Sequence, residues 1–263
     1  MKKKLFAAAL ATIMTVSLVT GCGKSTDTSS QTSEDTNQTA SADKLVVGTN
    51  AEFPPFEYLG DDGEPDGFDI ALIKAIGEKI GMEVEIQNME FASLVTSIGS
   101  KIDVAIAGMT VTDERKETVD FSDPYYEAVQ CIIVPEGTVF ASADDLKGLK
   151  IGVQLGTTGE FIAEDIEGAE VSTYNKAVDA VNDLNNGRVD CVIIDANPAS
   201  VFEAQFPDKV DVLQGTAYGF EVENYAIALP KGDTELANKI NAALKELKED
   251  GTYNKLVAQY IEN

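Results

Sequence analysis

The residues best placed to do chemistry in this sequence lie in one run, Val104-Ala105-Ile106-Ala107-Gly108-Met109-Thr110-Val111-Thr112-Asp113-Glu114-Arg115-Lys116. It reads as a strand, a glycine turn and the charged start of a helix. Thr112 has the type of an N-cap, and Asp113 and Glu114 fall in the first helical turn. Arg115 follows just inside that turn. A guanidinium fork beside the unpaired backbone N–H groups of a loop and a helix start can grip both oxygens of a carboxylate at once. Taken alone, Arg115 has a commoner reading, a surface pair with Asp or Glu that is worth little.

Other chemistries have fewer candidates. The sequence has no His, so acid–base work would fall on Glu52, Glu160 or Asp195. With no His and no close Cys pair there is no metal-ligand set, and neither a metal nor a cofactor is expected. Gln154-Leu155-Gly156-Thr157-Thr158-Gly159 is a Gly-rich turn at a helix start, but no Lys follows it as in a phosphate-binding P-loop. Cys131 and Cys191 each sit in an apolar run, which favours buried free thiols and leaves a disulfide open. Taken alone, Asp195 reads as a helix N-cap and Thr110 as a loop hydroxyl bonded to nearby backbone.

Short apolar strands alternate with helical patterns, which predicts an α/β architecture with mainly parallel sheets. Strands are expected at 45–49, 84–86 and 103–107, with a helix whose apolar face is Ile70, Leu72, Ile73, Ile76 and Ile80 and which ends at Gly81. The order then repeats, with strands at 151–153, 171–174 and 191–194 and helices at 158–166 and 177–184. Lys101-Ile102-Asp103-Val104 and Arg188-Val189-Asp190-Cys191 occupy matching places in the two halves, which supports two similar lobes.

At 263 residues and 44% hydrophobic, the chain can bury a sizeable core in one or two lobes. Its net charge of −25 argues against nucleic acid or anionic membrane surfaces as partners. Lys2, Lys3 and Lys4 precede an apolar run over 5–19, the layout of a secretory signal peptide covering 1–21. That run is shorter than the ~20 residues a membrane span needs. Val19-Thr20-Gly21-Cys22 resembles a lipobox, in which Cys22 becomes a lipid-modified N-terminus and the membrane is met through that anchor alone. Residues 23–42 are Ser/Thr-rich without large apolar side chains and are expected to form a disordered tether.

Several further runs extend the pattern: Gly48-Thr49-Asn50-Ala51-Glu52-Phe53-Pro54-Pro55-Phe56-Glu57, Gly67-Phe68-Asp69-Ile70, Val119-Asp120-Phe121-Ser122-Asp123-Pro124-Tyr125-Tyr126, Gly187-Arg188-Val189-Asp190 and Asp250-Gly251-Thr252-Tyr253. Together with the Arg115 and Gln154 segments, and in this order over 44–261, they resemble the polar amino-acid family (family 3) of extracellular solute-binding proteins that feed ABC importers. The resemblance implies a two-lobed periplasmic-binding-protein fold with a two-crossing hinge. Lobe 1 would be 44–130 and 226–263, and lobe 2 would be 131–225. It implies a monomer that binds a free amino acid and delivers it to an ABC permease.

Residue by residue, the resemblance assigns the ligand α-carboxylate to Arg115, helped by Thr110, the backbone of Ala107 and Gly108, and Thr158 from the second lobe. Asp195 matches the acceptor of the α-ammonium. Phe53 and Phe91 match the aromatic pair around the ligand side chain. Asn50 stands where many relatives carry Asp, and Gln154 where glutamine binders carry Lys. Glu52 is a candidate partner for a cationic side chain or a solvent-facing loop residue. A basic ligand and a polar neutral one both remain open. A dehydratase-like enzyme on the same scaffold and a sensor ectodomain are the other classes considered. The first would show turnover, and the second would need a membrane or signalling segment beyond Ile261.

Overall fold

The computed structural model describes residues 43–262. The expected signal peptide, the expected lipidation site Cys22 and the expected tether lie outside the described residues. No described helix is long and apolar enough to cross a membrane.

Strand Lys44–Thr49 buries Leu45 and Val47 on one face and is an interior strand of a five-stranded sheet. Its neighbours Glu83–Asn88 and Val104–Ala105 are both parallel to it. Strand Ala228–Pro230 then adds antiparallel, followed by Val119–Phe121. Helix Phe68–Ile80 packs Ile70, Leu72, Ile73 and Ile76 inward and ends at Gly81. Helices Thr234–Glu249 and Thr252–Tyr260 lie against it, and the first of them buries Ile240, Ala243, Leu244 and Leu247. Each such apolar side chain contributes about 1.5–3 kcal/mol when fully withdrawn from water.

The second sheet repeats the plan. Strands Glu170–Tyr174, Lys150–Gln154 and Cys191–Asp195 run parallel, and Tyr126–Pro135 and Val210–Gln214 complete the sheet antiparallel. The alternation of strand and helix therefore gives a parallel half in each sheet, and the chain's returns make both sheets mixed. Helices Thr158–Asp165, Ala177–Asn185 and Ala196–Gln205 cover this sheet. Cys131 and Cys191 are buried free thiols within it.

The matching basic-apolar-Asp runs have matching jobs. Asp103 Oδ2 accepts from the Val46 backbone N–H at 2.8 Å, and Asp190 Oδ2 accepts from the Lys150 N–H at 2.8 Å. Each carboxylate thus satisfies a backbone N–H in the first half of an interior strand of its own sheet.

The two sheets are joined through a ribbon. The first part of Tyr126–Pro135 pairs antiparallel with Val222–Tyr225, in register Tyr126↔Tyr225 through Val129↔Val222. Phe56 packs edge-on against both Tyr126 and Tyr225, with ring centroids 5.0 and 5.3 Å away. This buried aromatic knot fixes where the ribbon leaves the first lobe.

Candidate functional site

The carboxyl ends of the parallel strands in both sheets turn toward the same cleft, the usual place for a ligand in an open α/β sheet. From the first sheet, Asn50 follows strand Lys44–Thr49, and Ala107 to Thr110 follow Val104–Ala105. From the second, Gln154 and Asp195 end their own strands, and Thr157 and Thr158 begin the helix after Gln154. Phe53 comes from the short strand Glu52–Phe53 and Phe91 from the 3-10 turn Phe91–Ser93. Together these residues and Arg115 line one pocket.

Arg115 is 7% exposed and lies in the short helix Asp113–Thr118. Thr112 caps that helix as expected, its hydroxyl accepting from the Arg115 N–H at 3.1 Å. The guanidinium donates to the Thr110 carbonyl at 2.7 Å and across the cleft to the Gly156 carbonyl at 2.8 Å. It also lies 5.4 Å from the centre of the Phe91 ring. These contacts aim the fork and leave some of its five donors for a further acceptor. Burial lowers its pKa to about 10, so it stays charged at neutral pH.

Asp195, also 7% exposed, sits at the N-cap position of helix Ala196–Gln205, yet its side chain caps nothing. It accepts instead from the Tyr225 hydroxyl at 2.5 Å. Burial, reinforced by the neighbouring Glu223 charge, pushes its pKa up to about 7. Neither Asp195 nor Arg115 forms a salt bridge with any described residue.

Glycine is required at two points of this wall. Gly108 has φ +52°, and a Cβ there would stand 2.9 Å from the Phe53 ring. Its N–H donates at 2.8 Å to Asp69, a fully buried carboxylate that also accepts from Tyr125 at 2.7 Å. Burial raises Asp69 to about 6. Gly156 has φ +81°, and a Cβ there would come within 3.2 Å of the Ala92 backbone on the facing lobe.

Ten of the eleven residues expected at the site line the pocket: Asn50, Phe53, Phe91, Ala107, Gly108, Thr110, Arg115, Gln154, Thr158 and Asp195. Glu52 does not. It pairs across the cleft with Lys176 at 2.6 Å. Of the three carboxylates considered for acid–base work, Glu160 accepts from the Gly156 N–H, and only Asp195 reaches the pocket. Sequence reasoning passed over Thr157, which lines the pocket, and Glu223, which stands directly behind it. Glu223 Oε2 accepts from the hydroxyls of Thr110 at 2.6 Å and Thr158 at 2.8 Å, one from each lobe. A second Thr beside Thr158 was visible in the motif, whereas nothing around Glu223 marks it.

Two mixed α/β lobes, a two-stranded ribbon between them and a pocket built from the strand ends of both define a two-lobed binding protein. The chain belongs to the bacterial extracellular solute-binding proteins, family 3, whose model matches residues 45–263. It is 39% identical over 225 residues to the arginine-binding extracellular protein ArtP of Bacillus subtilis (strain 168), covering 83% of this chain and 86% of that one. Among solved structures, an ancestral arginine-binding protein bound to arginine superposes with a TM-score of 0.79 at 43% identity, covering 84% of this chain and 99% of the other. The same description with glutamine bound gives 0.76 at 44% identity, over 84% and 98%. The family is one of solute-binding transport components rather than enzymes.

Proposed function

We propose that this protein captures a free polar amino acid outside the cytoplasm and delivers it, as a lipid-anchored monomer, to the permease of an ABC importer. The observation that carries this reading is a pair of buried opposite charges, Arg115 and Asp195, lining one pocket without ionic partners among the described residues. Withdrawing a charge from water is costly unless an opposite charge meets it. A zwitterion supplies both partners at once. Its carboxylate meets the Arg115 fork, supported by Thr110, Thr158 and the Gly108 turn, and its ammonium meets Asp195. Phe53 and Phe91 flank the side chain. Arg115 comes from the first sheet's lobe and Asp195 from the second, so the ligand favours the closed arrangement over an open one.

Micromolar capture needs about −8 kcal/mol, which two charge-assisted contacts and aromatic burial can supply. The names of relatives agree with this reading, since they include an arginine-binding protein of Bacillus subtilis and its glutamine-binding ABC transporter protein GlnH. A thermal-shift screen of the common amino acids tests it, because a ligand that binds only the folded state raises Tm. We expect at least one amino acid to raise the melting temperature of the protein and none to do so in Arg115→Ala. A variant that still binds would refute the carboxylate assignment.

A further inference from the structure

The proposed amino-acid reading leaves open what side chain the pocket takes, and the rest of the wall bears on that question. Once Arg115 and Asp195 face the ligand's own carboxylate and ammonium, the remaining lining residues are aromatic, small or neutral and polar. No formal charge is left over.

The neutral wall is tied together by hydrogen bonds that depend on its being neutral. Asn50 Nδ2 donates to the Met89 carbonyl at 3.0 Å, and Asn50 Oδ1 accepts from Gln154 Nε2 at 2.8 Å. The same Gln154 nitrogen donates to the Asn175 carbonyl at 3.1 Å. Position 50 therefore uses a donor and an acceptor on one group, which a carboxamide has and an ionised carboxylate lacks. An aspartate would set its charge against the Met89 carbonyl. Among the described residues, Asn50 keeps one N–H, and Gln154 keeps its carbonyl oxygen, without a protein partner. One free donor beside one free acceptor complements a head group carrying the same two functions.

Two further contacts work against a cationic side chain. Glu52, the nearby acid that would attract one, is neutralised by Lys176 at 2.6 Å and stays outside the pocket. The Phe91 ring already faces the Arg115 guanidinium, so a second cation on that ring would meet a like charge.

We infer that the bound amino acid has an uncharged hydrogen-bonding side chain, of the carboxamide type found in glutamine, and that Asn50 and Gln154 determine this specificity. The inference rests on the amino-acid reading above and narrows it. Isothermal titration calorimetry of the protein with L-glutamine, L-arginine and L-glutamate at neutral pH tests it. Glutamine should bind at least about tenfold more tightly than either charged amino acid. Asn50→Asp should lower the glutamine-to-arginine preference by about tenfold or more. Lys176→Gln, a change at the pocket's rim that releases the Glu52 charge, should move it the same way by a smaller factor.

Arginine or glutamate binding as tightly as glutamine would overturn the inference and leave amino-acid capture standing. So would a preference unchanged in both variants. Binding of no common amino acid at all would remove the proposed function, and this inference with it.

Discussion

Asp195 is the side chain whose charge the pocket controls most directly, because burial and Glu223 together hold its pKa near 7. A carboxyl raised in the folded state keeps a proton that the unfolded chain gives up, so this group makes stability fall as pH rises from about 4 to about 7. Asp69, raised to about 6, adds to that fall, but it touches Gly108 and Tyr125 rather than the pocket. A ligand ammonium requires the ionised form of Asp195. Binding below pH 7 must therefore expel a proton, and affinity should drop by roughly 10–100-fold between pH 8 and pH 5. Arg115 remains charged throughout, so the slope belongs to the aspartate. Calorimetry in two buffers of different ionisation enthalpy measures the expelled proton, and Asp195→Asn should flatten the profile. An affinity constant across this range would contradict the ammonium assignment.

At the scale of elements, the matching aspartates that each hold a backbone N–H of an interior strand are the clearest sign of repetition. Asp103 is half-buried and Asp190 exposed, so losing the first leaves a less hydrated N–H behind. Asp103→Ala should cost about 1–2 kcal/mol in urea unfolding and Asp190→Ala less. Equal costs, or none, would mean that water replaces both carboxylates.

Much of this level was legible in the sequence. Helix Ala177–Asn185 and strand Glu170–Tyr174 start and stop within a residue of the expected bounds, because apolar periodicity is a local property. Strand 103–107 was expected to be longer than the observed Val104–Ala105. Ala107 and Gly108 leave the ladder there to build the site, so apolar character overstated the strand. Motif order carried the expected site residues, and two acids depend instead on pairing between distant segments. Glu52 lies off the pocket lining, held by Lys176, a partner far away in sequence. Glu223 went unseen because its two hydroxyl partners come from distant segments.

For the whole molecule, the net charge of −25 disfavours contact with an anionic membrane surface. In the proposed function, the lipid anchor at Cys22 supplies the attachment that this charge does not. Cys22→Ser should move the protein from the membrane fraction to the soluble one, read by fractionation and immunoblotting of expressing cells. A variant still sedimenting with membranes would contradict the lipid attachment.

The ribbon Tyr126–Val129 with Val222–Tyr225 carries a mechanical consequence. Two strands tied rung by rung flex across their flat face far more readily than they slide past each other. The halves of the molecule should thus swing like the covers of a book about one spine. A transporter docking on the outer edges would then read a two-valued posture, shut or ajar, without touching the cargo inside.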